Sequence, residues 1–228
     1  MLSDLSRGGG VGFCGAVLPS LLHGTYHGPL VVAVDSSVLV DLQMHGVEVL
    51  EQDVRVAESK YRAELEALGW ILDLWLLRDI RFVVPPRAKS DARTGHVPTS
   101  REPAIDAIEQ SLAFQLDFPE KWPEPASLEP GIEVLGLPAG GDLDLVQEAL
   151  GLRASVFLTR DYTVIRRADI KGAAMRVISP KTLAAELRRA GVSHFTGGIC
   201  RAPGCPYLTT RIPGPDLGKW SGLLSHFC

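Results

Sequence analysis

Cysteine is scarce in this 228-residue chain: Cys14, Cys200, Cys205 and Cys228 are all it has. That is too few for a disulfide-stapled secreted scaffold, on a chain too long for that class, so a reducing cytoplasm is the expected setting. Basic excess is lacking as well. The formal net charge is -4, which excludes a protein that coats nucleic acid through overall basicity and leaves only a local patch for such contacts. Long apolar runs are also missing. The stretch VGFCGAVLPSLLHGTYHGPLVVAV is broken by glycines, Pro19, Pro29, His23 and His27, and falls short of the ~20 unbroken apolar residues of a spanning helix. It makes a poor signal peptide too, because Arg7 supplies its only basic flank and Asp4 opposes it. No membrane association is expected, and residues 1–28 read as a partly ordered lead-in.

With 46% hydrophobic and 22% charged residues, what remains has the composition of one globular domain with an appendage. Residues 30–34 (LVVAV) form an unbroken apolar run, as in a strand buried on both faces. Asp35 ends it, Ser36 and Ser37 supply capping hydroxyls, and a short helix begins with Val38, Leu39, Val40 and Leu42. Within residues 54–77, Tyr61, Leu65, Leu68, Ile71, Leu72 and Trp75 recur at helical spacing. Residues 80–84 read as a second strand, stopped by Pro85 and Pro86. Asp91 falls about one turn into the helix that follows.

Residues 103–118 again carry helical spacing, and the proline- and acid-rich FPEKWPEPASLEPG after them reads as a loop. Residues 143–150 form a helix opened by Asp142 and Asp144, which suit a helix N-terminus. Residues 155–158 (SVFL) are a strand followed by Thr159, Arg160 and Asp161. Residues 175–178 are another, running into Ser179 and Pro180 and a helix that Gly191 ends. Strands alternating with helices predict a three-layer α/β/α sandwich with a central parallel sheet over residues 29–191.

Four aspartates follow or closely trail these strands: Asp35, Asp91, Asp142 and Asp161. Open α/β folds place their sites beyond the carboxyl ends of parallel strands, so four carboxylates there predict one metal pocket. Each acid also has a structural reading as a helix cap or turn residue. Hydrolysis of a phosphodiester needs an activated water and relief of phosphate charge, both of which carboxylate-bound Mg²⁺ or Mn²⁺ supplies. Crowded carboxylates without a cation repel and titrate upward. Arg87, Lys89, Arg93, Arg160, Arg166, Arg167 and Lys171 lie near the same strand ends, with Arg160 the best candidate for a phosphate contact.

These segments resemble the PIN domain family of Mg-dependent nucleases over residues ~30–190. VDSSVLVDL is similar to that family's opening strand and acid, and VVPPRAKSDA to its second strand and acid-bearing helix. GDLDLVQEAL with VFLTRD is similar to its third acid and closing strand, threonine and acid, and MRVISPKTLAAEL to its last strand and helix. The resemblance implies Asp35, Asp91, Asp142 and Asp161 as metal-site and catalytic carboxylates, with Ser37 and Thr159 supporting them. Two departures stand out. The second acid is usually glutamate in the family, and both Asp142 and Asp144 are available as the third, though spacing to Ala149 and Leu150 favours Asp142. The activity implied is a cytoplasmic endoribonuclease acting on RNA, either a toxin restrained by a partner protein or an RNA-processing enzyme. A structure-specific DNA nuclease and a catalytically silent protein-binding module are the alternatives.

From residue 192 to 228 the chain becomes rich in glycine and proline. Zinc at Cys200 and Cys205, with His194, His226 and Cys228 nearby, is not expected, because neither the spacing of the pair nor the terminal HFC matches a finger pattern. Trp220, Leu223 and Leu224 are read as docking this tail on the domain or forming a homodimer contact.

Overall fold

The computed structural model describes residues 11–94 and 124–208. The helix expected over 103–118, His226, Cys228 and the tail's Trp220, Leu223 and Leu224 therefore lie outside the described residues. The elements run β1 (Phe13–Cys14), β2 (His27–Gly28), β3 (Leu30–Val34), α1 (Ser36–Leu50), α2 (Ser59–Trp75), β4 (Ile80–Val83) and α3 (Pro86–Thr94). After the break come β5 (Glu133–Leu135), α4 (Gly141–Gly151), β6 (Val156–Leu158), α5 (Tyr162–Arg167), β7 (Asp169–Lys171), β8 (Arg176–Ile178) and α6 (Pro180–Arg189).

Four strands form one parallel sheet in the order β4-β3-β6-β8. It is flanked by helices, as the alternating pattern requires. β3 is central, and Leu30, Val32, Ala33 and Val34 are all buried, which is why its sequence is a continuous apolar run rather than an alternation. The chain leaves β3 toward β4, then crosses to β6 on the other side. Right-handed crossovers running in opposite directions put their helices on opposite faces of the sheet, the arrangement of an α/β sandwich. Winding reverses between β3 and β6, so a crevice opens at the carboxyl ends of those two strands.

Local chemistry sets the helix boundaries. Asp35 and Ser179 cap α1 and α6, with Pro180 opening α6 and Gly191, at φ +70°, following its end. Helix α1 runs to Leu50, well beyond the short helix read from the sequence, because Val38, Leu39, Leu42, Val49 and Leu50 keep one face buried. It packs closely on α2: a Cβ on Gly69 would lie 2.5 Å from the Val49 carbonyl oxygen, so only glycine permits the approach. Glu64, buried on α2, accepts from the Lys181 amide at 2.8 Å, the Ser179 hydroxyl at 3.0 Å and the Tyr162 hydroxyl at 2.7 Å. A carboxylate at the start of α6 also answers that helix's dipole.

The lead-in is more integrated than its broken composition predicts. Phe13, Leu18, Leu21 and Leu22 belong to the main core. Arg78, 1% exposed, ties this segment to the residues beyond α6. Its guanidinium donates to the carbonyls of Val11 (3.1 Å), Gly12 (3.3 Å), Ser193 (3.0 Å), Thr196 (3.0 Å) and Gly197 (2.9 Å), and its carbon lies 4.8 Å from the centre of the Phe13 ring. Burial pushes its pKa down to about 10, which still leaves it charged at neutral pH. Small antiparallel pairs, β1 with β2 and β5 with β7, complete the described structure. None of the described helices is long and apolar enough to cross a membrane.

Replacing Arg78 by Met orphans five carbonyls at once and is expected to cost about 3–5 kcal/mol in urea unfolding. Arg78→Lys is expected to recover little of this, because a compact ammonium with three donors cannot reproduce the planar fork.

Candidate functional site

Asp35 sits where β3 ends, 5% exposed, at the reversal between β3 and β6. Its amide donates to the Leu158 carbonyl at 3.0 Å, continuing the parallel ladder one residue past the strand. Its carboxylate takes four donors. Oδ1 accepts from the Ser36 amide (2.7 Å) and hydroxyl (3.2 Å), and Oδ2 from the hydroxyls of Ser37 and Thr159, each at 2.7 Å. A carboxylate offers about four lone-pair sites, so the protein engages all of them. Ser37 and Thr159, expected as supporting residues, thus touch Asp35 directly from the two sides of the crevice.

Thr159 also orients the last acid. Its hydroxyl oxygen accepts from the Asp161 amide at 3.0 Å. Asp161 then caps α5, Oδ1 accepting from the amides of Thr163 (2.6 Å) and Val164 (3.2 Å). The turn that follows VFLTRD is therefore the start of a short helix that sequence periodicity did not show.

Asp142 lies in the first turn of α4, half-buried, whereas Asp144 is exposed. Burial raises the Asp142 carboxyl above the ordinary aspartate range, and the charges of Asp161, Asp35 and Asp91 raise it further. One carboxylate thus senses the other three, contributed by separate segments of the chain. Asp91, on α3, accepts a salt bridge from Arg87 Nε at 2.9 Å. Arg87 also reaches α4, donating its amide to Glu148 at 2.8 Å and laying its guanidinium beside Gly141. Among the described residues the four acids are not gathered as tightly as a cysteine and histidine cluster elsewhere in the molecule. Their oxygens nonetheless form a hard donor set of the kind Mg²⁺ or Mn²⁺ prefers, and an ion that keeps several waters tolerates such an open arrangement.

Arg160, the candidate phosphate contact, points away from the acids. It pairs bidentately with Asp41, which is 1% exposed, with Nη2 at 2.7 Å from Oδ1, and stacks 4.4 Å from the centre of the Tyr61 ring. Tyr61 donates to the same carboxylate at 2.7 Å. Burial pushes the Asp41 carboxyl up, opposed by the Tyr61 hydrogen bond and the Arg160 charge. The Arg160 amide donates to Ser37 Oγ at 3.2 Å, so this buried pair braces the loop between Thr159 and Asp161 from behind. Asp41 was legible only as an acid inside an apolar helix, and nothing local in the sequence indicates its partner. A separate cavity of about 410 Å³, lined by Leu22, Tyr26, Leu150 and Met175 among others, contains none of the four acids. It lies toward the amino ends of β6 and β8.

Arg160→Ala strands the Asp41 charge and is expected to destabilise by about 3 kcal/mol, while Tyr61→Phe costs about 1 kcal/mol, both read by denaturant unfolding. Asp142→Asn tests the electrostatic tension directly. A carboxyl whose folded pKa is raised disfavours the ionised native state above that pKa and recovers stability as pH falls through it. The variant is therefore expected to raise the metal-free Tm at neutral pH by about 2 °C or less, screening included. That gain should vanish in acid.

Comparison of the chain with protein-family models, with curated proteins and with solved structures returns no match.

Proposed function

We propose that this chain is a PIN-like, divalent-metal-dependent endoribonuclease whose site is formed by Asp35, Asp142 and Asp161, with Asp91 at its margin. The observation that carries the reading is the Asp142 carboxyl, raised by burial and by the charges of Asp161, Asp35 and Asp91 in the crevice where the sheet reverses its winding. A carboxyl pushed up by burial and by neighbouring carboxylates in a crevice is a functional-site candidate, and a cation there would relieve both. RNA as substrate follows from the family resemblance.

Bound by these carboxylates, Mg²⁺ or Mn²⁺ supplies an activated water and offsets phosphate charge. The chain's residues divide the remaining work. Thr159 and Ser37 hold the Asp35 carboxylate in one orientation, and Thr159 also fixes the turn that presents Asp161. Asp142 is the acid whose carboxyl is pushed up, by burial first and then by the charges of Asp161, Asp35 and Asp91, and so is the one a bound cation would relieve most. Arg160 is a positioning residue, since its guanidinium is engaged by Asp41 and Tyr61. Contact with the nucleic-acid backbone falls to exposed cations on the same edge, Arg166 and Arg167 on α5 and Arg87 beside Asp91.

The test is calorimetric titration of Mn²⁺ into wild type, Asp35→Asn and Asp142→Asn, followed by incubation of the same samples with a mixed RNA and single-stranded DNA pool. Metal binding and RNA cleavage are expected in wild type and are lost together in both variants. Thr159→Val, which removes only the orienting hydroxyl, is expected to lower cleavage about 10–100-fold. Wild type that binds no Mn²⁺ and leaves RNA intact overturns the nuclease reading and favours a protein-binding module built on the same fold. Cleavage confined to DNA overturns the substrate assignment alone.

A further inference from the structure

A second set of ligating side chains lies away from the acids, where the two ends of the described chain meet. Cys14 and His27 are direct partners in the β1–β2 register, which places their side chains on the same face of that pair. The segment following α6 brings Cys200 and Cys205 against them, joined by a hydrogen bond from the Cys14 amide to the Gly198 carbonyl at 2.8 Å. All four ligand atoms lie within 4.8 Å of one another. Cys14 Sγ is 3.6 Å from Cys205 Sγ, and His27 Nδ1 is 3.1 Å from Cys14 Sγ and 3.9 Å from Cys205 Sγ.

We infer that Cys14, His27, Cys200 and Cys205 form a closed, tetrahedral zinc site that clasps the N-terminal segment to the C-terminal tail. Zn–S bonds of about 2.3 Å and a Zn–N bond of about 2.0 Å at tetrahedral angles set S···S near ~3.8 Å and S···N near ~3.6 Å. The observed separations bracket those values before any ion draws the ligands in. Four protein ligands leave no position for water or substrate, which makes the site structural. Three thiolates and an imidazole are a soft set that selects zinc over the hard cations suited to the carboxylate crevice.

The Cys200 amide donates to the Cys14 sulfur and the Ala202 amide to the Cys200 sulfur. Gly204, at φ +86°, makes the turn that returns Cys205 to the cluster. Val11 and Tyr207 pack around the three buried cysteines and shield them from solvent. Plain burial of thiols accounts for apolar packing. It gives no reason for a ring nitrogen and three sulfurs from opposite ends of the chain to converge on one point. Sequence spacing around Cys200 and Cys205 concealed the set because its other two members lie more than half the chain away, in the lead-in. His194, considered there as a ligand, is instead bonded to Asp73 at 2.7 Å.

The experiment is elemental analysis by mass spectrometry of the full chain, purified without chelators or an affinity histidine tag, together with Co²⁺ substitution. About one zinc per chain is expected, with Co²⁺ giving thiolate charge-transfer bands and the intense ligand-field bands of a tetrahedral site. His27→Ala and Cys205→Ser are expected to lose most of the metal, while His27→Cys retains it as a four-thiolate site. Asp35→Asn is expected to keep its zinc in full, which separates this site from the carboxylate crevice. The unmodified chain is itself decisive should a variant fail to fold. If that chain carries no zinc and takes up no tetrahedral Co²⁺, or if its cysteines prove to be joined in a disulfide, the inference is overturned.

Discussion

The carboxylate of Asp35 is the fixed point around which the candidate site is arranged. Its four donors come from the start of α1 and from Thr159 just past β6, so one side chain fastens both strand-to-helix junctions of the crevice. Because it is almost wholly buried, those bonds are made in a low-dielectric setting where an unmet partner is costly. Thr159 passes the constraint on to Asp161 through that residue's amide. Behind them, the Asp41–Arg160 pair and Tyr61 hold the loop, so the position of the exposed acid depends on a buried charge pair that never faces the crevice.

A tension follows from this design. Asp35 and Asp161 are fixed by hydrogen bonds, while the Asp142 carboxyl beside them is pushed up by burial first and by the charges of Asp161, Asp35 and Asp91 second. At the far end of the described chain the logic is different. There the charge of Arg78 is spread over five backbone carbonyls, and the thiols and imidazole of the proposed zinc site lie just beyond, so both devices act on the same two segments. The Arg78 hydrogen bonds alone tie residues 11–12 and 193–197 to each other beside the sheet.

Much of the central sheet was legible. LVVAV and VFL are apolar because both faces are covered, the edge strands at 80–83 and 176–178 are apolar but for Arg81 and Arg176, and punctuation by Asp35, Pro85, Ser179 and Gly191 marked where strands or helices begin and end. The small pairs β1–β2 and β5–β7 were not, since two- and three-residue strands carry too few positions to show a period. Helix α5 was missed for the same reason of length. Of the site, Ser37 and Thr159 were singled out only through the resemblance to the PIN domain family, and both hydroxyls do reach Asp35. Arg160 was misplaced because its partners lie far away in sequence, 119 residues at Asp41.

By itself, then, the sequence determined the parallel α/β sheet and the strand ends at which acids appear, because these follow from hydrophobic period and local capping. Only the tertiary structure decided that Arg160 is engaged by Asp41 and that Cys14 and His27 meet Cys200 and Cys205. Those outcomes depend on pairings between distant segments, which are set by strand register and helix packing. No window of neighbouring residues contains that information.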